Sequence, residues 1–353
     1  MAKYQLYIGT YTRPAANGPQ SEGIYRATLD AQSGQLGDLE LVAKVKDPSF
    51  VALGRGGRQL YAVCDFEGSS VAAWNVETNG KLSFLLHESS GGDGACHLGI
   101  DASGHNLFVA NYGAGSVAAF EILADGSLGA RRALVQHSGH GPNPKRQDKP
   151  HAHSIYGDET GRFVYACDLG TDEIAIFALD AARGTLSPLE TGAGHAPPGA
   201  GPRHLALHPR GFAYVNNEMG LSVSAFARNL QTGALTPLQT VPTLPPDAQT
   251  AGATTAEIAL HPNGKWLYVS NRGHDSIAVF AVGADGKLNL VEHVAAPTEP
   301  RGFGISPDGK WLVAAGQKDH QLAAFSIDGA SGKLSPRGEK LPVGTPVCVL
   351  FAP

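Results

Sequence analysis

A Gly-x-Leu element recurs seven times, at Gly34, Gly80, Gly126, Gly184, Gly233, Gly286 and Gly332, with intervals of 46, 46, 58, 49, 53 and 46 residues. A period of this length holds one supersecondary unit per repeat, so the chain is committed to a repeating architecture. Upstream of six of these elements lies an alternating apolar run closed by an aromatic: SVAAW (70–74), SVAAF (116–120), EIAIF (173–177), SVSAF (222–226), SIAVF (276–280) and QLAAF (321–325). GIYRA (23–27) is the degenerate first copy. Further upstream comes a second apolar strand, as in GRQLYAV, GHNLFVA and GKWLYVS, entered through turns such as HPNG (261–264). Proline second and glycine fourth suit a type I turn. Period-two runs bounded by turn residues predict strands throughout, with no helical periodicity of comparable strength.

Each repeat therefore holds four strands, A to D, and seven such repeats predict an all-β, seven-bladed β-propeller. The chain opens on a strand B, YQLYIG, and its last segment, PVCVLFAP, matches the A strands PRHLALHP and PRGFGISP. The 344–353 segment is thus expected to supply strand A of the first blade and to close the ring, removing exposed edges. One domain over 1–353 is predicted.

Composition narrows the function. Apolar residues make up 42% of the chain, enough for a large core, and 45 glycines and 23 prolines suit a chain that turns often. The net charge of −5 argues against a nucleic-acid partner, which would call for a basic stripe. No apolar run approaches the length of a membrane span, and MAKYQLYIGTYT reads as a strand rather than a leader. The four dispersed cysteines, with no CxxC pair, fit reduced thiols and a cytoplasmic protein. A monomer or weak dimer is expected.

Strand A of every blade lines the channel of a propeller. Aligned on their turns, the A strands place a two-residue column at one height at its mouth: Ser49-Phe50, Cys96-His97, His153-Ser154, Arg203-His204, Ala256-Glu257, Arg301-Gly302 and Val347-Cys348. Arg203 and His204 thus begin a strand because that strand starts at the channel mouth. The antiparallel meander brings the B-to-C loops to the same face, with Asn111-Tyr112, Asp168, Asn217-Glu218 and Asn271-Arg272. Three long D-to-A connectors, before blades four, five and six, also lie there, and loops of that length are often functional. A predominantly cationic mouth on an acidic chain points to an anionic small-molecule ligand, for which arginine offers forked donors.

Several of these residues carry two readings. HAHS (151–154) puts His151 and His153 on one strand face, and with His97 nearby the pair is open to a metal reading. A hydrogen-bonding histidine pair is the preferred account, and no metal or organic cofactor is expected. Glu257 is open between general base and ion-pair partner of Arg203 or Arg272. Glu218 is a candidate for a ligand or catalytic role, and Arg301 for anion binding. His208 and His261 read as turn residues, as do Asp101, Asp158 and Ser306 at equivalent places. Lys145 and Arg146 read as a solvated loop, and the C-strand aromatics as packing between blades. No G-x-S-x-G elbow, phosphate-cradling Gly-rich loop or dinucleotide fingerprint occurs.

Read in order around the ring, YIGTYT (7–12), SEGIY (21–25), ANYGAGSV (110–117), RQDKPHAHS (146–154), DLGTDEI (168–174), GPRHLALHP, NNE (216–218), AEIALHP (256–262), SNRGHDSIAVF (270–280) and PRGFGISP (300–307) resemble the seven-bladed propeller lactonases over nearly the whole chain. That family includes bacterial 6-phosphogluconolactonases and the carboxy-cis,cis-muconate lactonizing enzymes. The resemblance implies hydrolysis of the δ-lactone of 6-phosphogluconate in the pentose phosphate pathway. It also implies a site of one histidine, one glutamate and arginines, which by motif position correspond to His153, Arg203, Glu218 and Arg272. Lactone opening needs a base for water and donors for the oxyanion. The expected catalytic set is His153, Arg203, Glu218 and Glu257, with His97, His151, His204, Arg272 and Arg301 binding substrate. Two other readings stay open: a cycloisomerase or lactonase acting on a carboxylated muconate-type lactone, and a non-catalytic binding propeller. Against the latter, the Gly-His…Trp-Asp pattern of WD40 scaffolds is missing.

Overall fold

Hydrogen-bonded meanders form wherever the repeats alternate apolar and polar residues, and seven of them stand around one axis in the computed structural model. The structure describes residues 2–13, 18–189 and 192–353. Among them the only helical turn is Arg55–Gly57. Blade five shows the plan: strand A is Pro202–His208, B is Phe212–Asn217, C is Ser222–Arg228 and D is Leu235–Pro242, paired in that order. Blade four carries a short fifth strand, Gly194–His195, against its strand C.

Blade one joins the two ends of the chain, as the sequence predicts. Its strand A, Pro346–Phe351, pairs antiparallel with its strand B, Lys3–Thr10, in the register Ile8 to Val349 and Leu6 to Phe351. Each A strand packs against the A strands of both neighbouring blades. The inner edges of the seven sheets therefore face one another around the channel rather than the outer surface.

The core is divided into seven clusters, each lying between two adjacent blades. The aromatics that close strands C sit in these clusters: Trp74, Phe120, Phe177, Phe226, Phe280 and Phe325 are all nearly buried and face the preceding blade. Full burial of such a ring contributes roughly 1.5–3 kcal/mol.

The Gly-x-Leu repeat has a second duty. All seven of its glycines have positive φ, 66–83°, the conformation a Cβ opposes. In five cases a buried tyrosine from strand B of the preceding blade donates its hydroxyl to that glycine's carbonyl: Tyr7 to Gly80, Tyr61 to Gly126, Tyr165 to Gly233, Tyr214 to Gly286 and Tyr268 to Gly332. His208 and His261 do similar work in the A-to-B turns at the same end of the blades. Their Nδ1 atoms accept from backbone within their own turns, and their Nε2–H groups donate to Gly264 and Gly309 of the next blade. They are turn residues, as expected, and also latches between blades.

Candidate active site

Strand A of every blade is interrupted where it reaches the channel mouth. In blade five Pro202 pairs with Asn217 and His204 with Asn216, which leaves Arg203 unpaired. The same one-residue bulge leaves out Cys96, His153, Arg301 and Val347 in blades three, four, seven and one. Blade two skips more residues ahead of Phe50, and blade six leaves out both Ala256 and Glu257 between Thr255 and Ile258. A bulge bends the strand and re-aims the unpaired side chain.

This corrects the single-height column inferred from the sequence. The bulged residues Ser49, Cys96, His153 and Arg301 border a cleft of about 610 Å³ at the mouth. Phe50, His204 and Glu257, second residues of the column, border instead a second, smaller cavity of about 20 Å³, together with Arg203 and Val347. His97 borders neither. It is buried against Phe50, Tyr156 and His204, at ring-centroid distances of 4.1, 4.7 and 5.1 Å.

The bulge also breaks the parity that would put His151 and His153 on one face. His151 stands outside the cleft, stacked on Tyr112 at 4.5 Å and donating from Nδ1 to the Tyr112 carbonyl. His153 meets the same tyrosine edge-on at 5.4 Å and lines the cleft. Among the described residues no three His, Cys, Asp or Glu side chains are grouped to hold a metal ion.

Glu218 follows strand B of blade five and is the hub of the site. Its Oε2 receives Arg203 Nε at 3.1 Å and Arg272 Nη2 at 3.0 Å, and its Oε1 receives Arg146 Nη2 at 2.7 Å. Burial would push its pKa up, but the three guanidiniums outweigh burial and hold it at about 2. Glu218 is thus a fixed carboxylate that orders three arginines. A carboxylate so held is a poor acceptor of protons, which counts against it as the base.

The arginines divide accordingly. Arg203, 3% exposed, donates to Glu218, to His204 Nε2 at 3.1 Å and to the Ala256 carbonyl; its Nη2 bonds to no described residue. Arg272 also donates to the Thr255 carbonyl, and burial lowers its pKa to about 10, so it stays cationic near neutrality. Arg301 borders the cleft, stacks over Tyr11 at 5.4 Å and has no carboxylate partner among the described residues. Arg146, 39% exposed, is more than a solvated loop residue. The connector before blade four carries it to Glu218 and the Tyr112 hydroxyl, while Lys145 stays exposed.

Glu257 pairs with neither arginine proposed for it. Its Oε1 accepts His204 Nδ1–H at 2.8 Å and the Ile258 amide at 3.0 Å. Because a guanidinium can only donate, the bond from Arg203 places a lone pair on His204 Nε2 and the ring proton on Nδ1. Both nitrogens of His204 are committed, so it has no donor left for an oxyanion. Burial, followed by neighbouring arginines, holds His153 and His204 well below the ordinary histidine pKa, so both are neutral. Cys96 lies beside His153, its Sγ 4.0 Å from Nδ1, but burial lifts its pKa to about 12 and leaves an inert thiol.

The mouth is less uniformly cationic than its sequence suggests. Arg13, Arg146, Arg272 and Arg301 border the cleft together with Asp47, Asp65, Asp93 and Glu218. Asp47 is occupied by Arg13 at 2.6 Å, whereas Asp65 and Asp93 form a carboxylate wall on the side of blades two and three. Sequence reasoning missed this wall, together with Tyr11 and Arg146. The motifs YIGTYT and RQDKPHAHS contain the last two and were the available signal. Asn111, Asp168, Asn217 and Asn271 do reach this face but serve as scaffold, bonding to strand-end backbone, serines or histidine.

A propeller whose buried charges converge on one end of the channel, around a cleft of small-molecule size, is an enzyme-like architecture rather than a rim-binding scaffold. Comparison with known proteins makes the assignment specific. The family described as "Lactonase, 7-bladed beta-propeller" matches residues 5–351. A 6-phosphogluconolactonase of Bacillus subtilis is 36% identical over 356 residues, covering 99% of each chain. One from Formosa agariphila is 30% identical over 96% of this chain and 95% of its own. The solved structure of a periplasmic gluconolactonase from Pseudomonas aeruginosa superposes with a TM-score of 0.91 at 30% identity, over 100% of this chain and 99% of that one. The chain belongs to the seven-bladed β-propeller lactonase family and is an enzyme of the lactonase class.

Proposed function

We propose that the protein hydrolyses a phosphorylated sugar δ-lactone, of which 6-phosphoglucono-δ-lactone is the foremost candidate, and so serves the pentose phosphate pathway. The observation that carries this reading is the two-sided cleft. Arg301, with Arg272 and Arg146 beside it, offers guanidinium donors to a phosphate, while Asp65 and Asp93 opposite offer acceptors to hydroxyl groups. A polyhydroxy lactone with one anionic end satisfies both walls. A muconate-type lactone with several carboxylates would meet repulsion at the acidic one. The relatives named above point the same way.

In this reading Arg203 Nη2 stabilises the oxyanion of the tetrahedral intermediate, which is strongest in a water-excluded site. Glu218 holds Arg203, Arg272 and Arg146 in place. Neutral His153, on the cleft wall, is placed to guide the leaving oxygen. No cofactor enters the chemistry. The substrate is a cytoplasmic metabolite in this reading, and the four free cysteines are compatible with that compartment; no described helix is long and apolar enough to cross a membrane. The enzyme works as a monomer or weak dimer.

The test is turnover of freshly generated 6-phosphoglucono-δ-lactone above its spontaneous rate, with gluconolactone and a muconolactone in parallel. Preference for the phosphorylated lactone is expected, with at least a tenfold loss of kcat/KM in Arg203→Ala. Turnover of the muconolactone alone would transfer the site to the carboxylated class.

A further inference from the structure

Beneath the floor of the cleft lies the smaller cavity, of about 20 Å³. It shares Tyr11, Ser49, Cys96, His153 and Arg301 with the cleft and therefore opens from it toward the channel axis. Its deeper wall includes Arg203, His204 and Glu257. A polar space of this size suits one water molecule and excludes any part of a sugar ring. Of Glu257's two carboxylate oxygens, Oε1 takes both N–H donors, and Oε2 bonds to no described residue.

We propose that this cavity seats the hydrolytic water and that Glu257, through Oε2, is the base that takes its proton. The proposal rests on the lactone-hydrolysis reading above. The water oxygen bonds to the lactone carbonyl carbon while one of its protons passes to Oε2, and the carbonyl π pair moves onto the exocyclic oxygen beside Arg203. Collapse of the intermediate breaks the bond from that carbon to the ring oxygen. The ring oxygen takes the proton back from Glu257 and leaves as a hydroxyl, and the new carboxylic acid ionises to solvent. Glu257 ends as the carboxylate it began as.

The surroundings fit this task. Facing Glu257 are His204 and Arg203 of blade five, His97 of blade three, Tyr156 of blade four, Cys348 of blade one and Arg301 of blade seven. Burial raises its pKa to about 7 against the pull of Arg203, which places it where a general base works best at neutral pH. Glu218, held at about 2, and His153, held well below 6.5, are weaker bases. The His204 bond to Oε1 fixes the carboxylate plane, and His204 is in turn fixed by Arg203. Glu257 must be ionised to act, so activity should rise as pH passes upward through about 7.

Glu257→Gln isolates the role, because glutamine Oε1 can accept the same two N–H groups while its amide replaces Oε2. We expect kcat to fall roughly 10²–10⁴-fold with KM within about threefold, and the acidic limb of the kcat/KM profile to vanish. Activity within tenfold of wild type would overturn the proposal. A high-resolution crystal structure of the wild-type enzyme provides a readout that needs no variant: a water within hydrogen-bonding distance of Oε2 is expected, and its absence sinks the idea. Should the wild type hydrolyse no lactone, the lactonase reading fails by itself, while diffraction still decides the water site.

Discussion

Arg301 is the cleft arginine with the least committed charge. Arg203, Arg272 and Arg146 all spend part of theirs on Glu218, whereas Arg301 only stacks on Tyr11. A charge-assisted bond to an anion is about twice as strong as a neutral one, and loss of such a bond costs roughly 1.5–3 kcal/mol. Arg301→Ala should therefore raise KM for the phosphorylated lactone about 10–100-fold and leave that for gluconolactone nearly unchanged, as steady-state kinetics on both substrates will show. An equal effect on both would move the phosphate to another arginine. At this scale the sequence was a good guide to identity and a poor one to role. Arg203, Glu218, Arg272 and Arg301 were all recognisable from their places in the repeat. That Glu218 joins three arginines from different segments, one of them Arg146, depends on distances across 15, 54 and 72 residues of chain. No local pattern encodes those distances.

Strands and turns follow from local chemistry, and the repeat makes that chemistry visible seven times. The tyrosine latches belong to this scale. Tyr268 donates to the Gly332 carbonyl at 2.9 Å across the boundary between blades six and seven, far from the cleft. Tyr268→Phe removes that bond and leaves a buried carbonyl unpaired, at a cost of roughly 1–3 kcal/mol. Denaturant titration should show the loss, with kcat and KM unchanged. A variant as stable as wild type would mean that water replaces the hydroxyl. The bulges are the element-scale feature that stayed hidden. In blades three, four and five one unpaired residue of the inner strand turns His153 into the cleft and sends His97 and His204 deeper. An alternating apolar run reads the same with or without such an insertion, so period-two reasoning placed His151 and His153 on one face when they are not.

Closure of the ring belongs to the whole molecule. Removing the last strand, Pro346–Phe351, would expose the pairing edge of Lys3–Thr10 and strip Val349 and Phe351 from the core between blades seven and one. A chain ending at residue 343 is expected to lose its cooperative thermal transition and to aggregate, as circular dichroism melts and size-exclusion chromatography would reveal. A folded monomer would show that six closed blades and an open one suffice. Taken by itself, the amino-acid sequence determined the period, the blade count, the closure and the strand-A residues that begin at the channel mouth, because strand alternation, turn residues and repeat spacing are local and are written seven times over. Tertiary structure alone decided how those residues sort into a cleft and a smaller water-sized cavity, which arginines Glu218 neutralises, and why Glu257 keeps one oxygen free. Those outcomes depend on bulge geometry and on burial shared between blades distant in sequence, and side-chain pKa values respond to such surroundings rather than to chain neighbours.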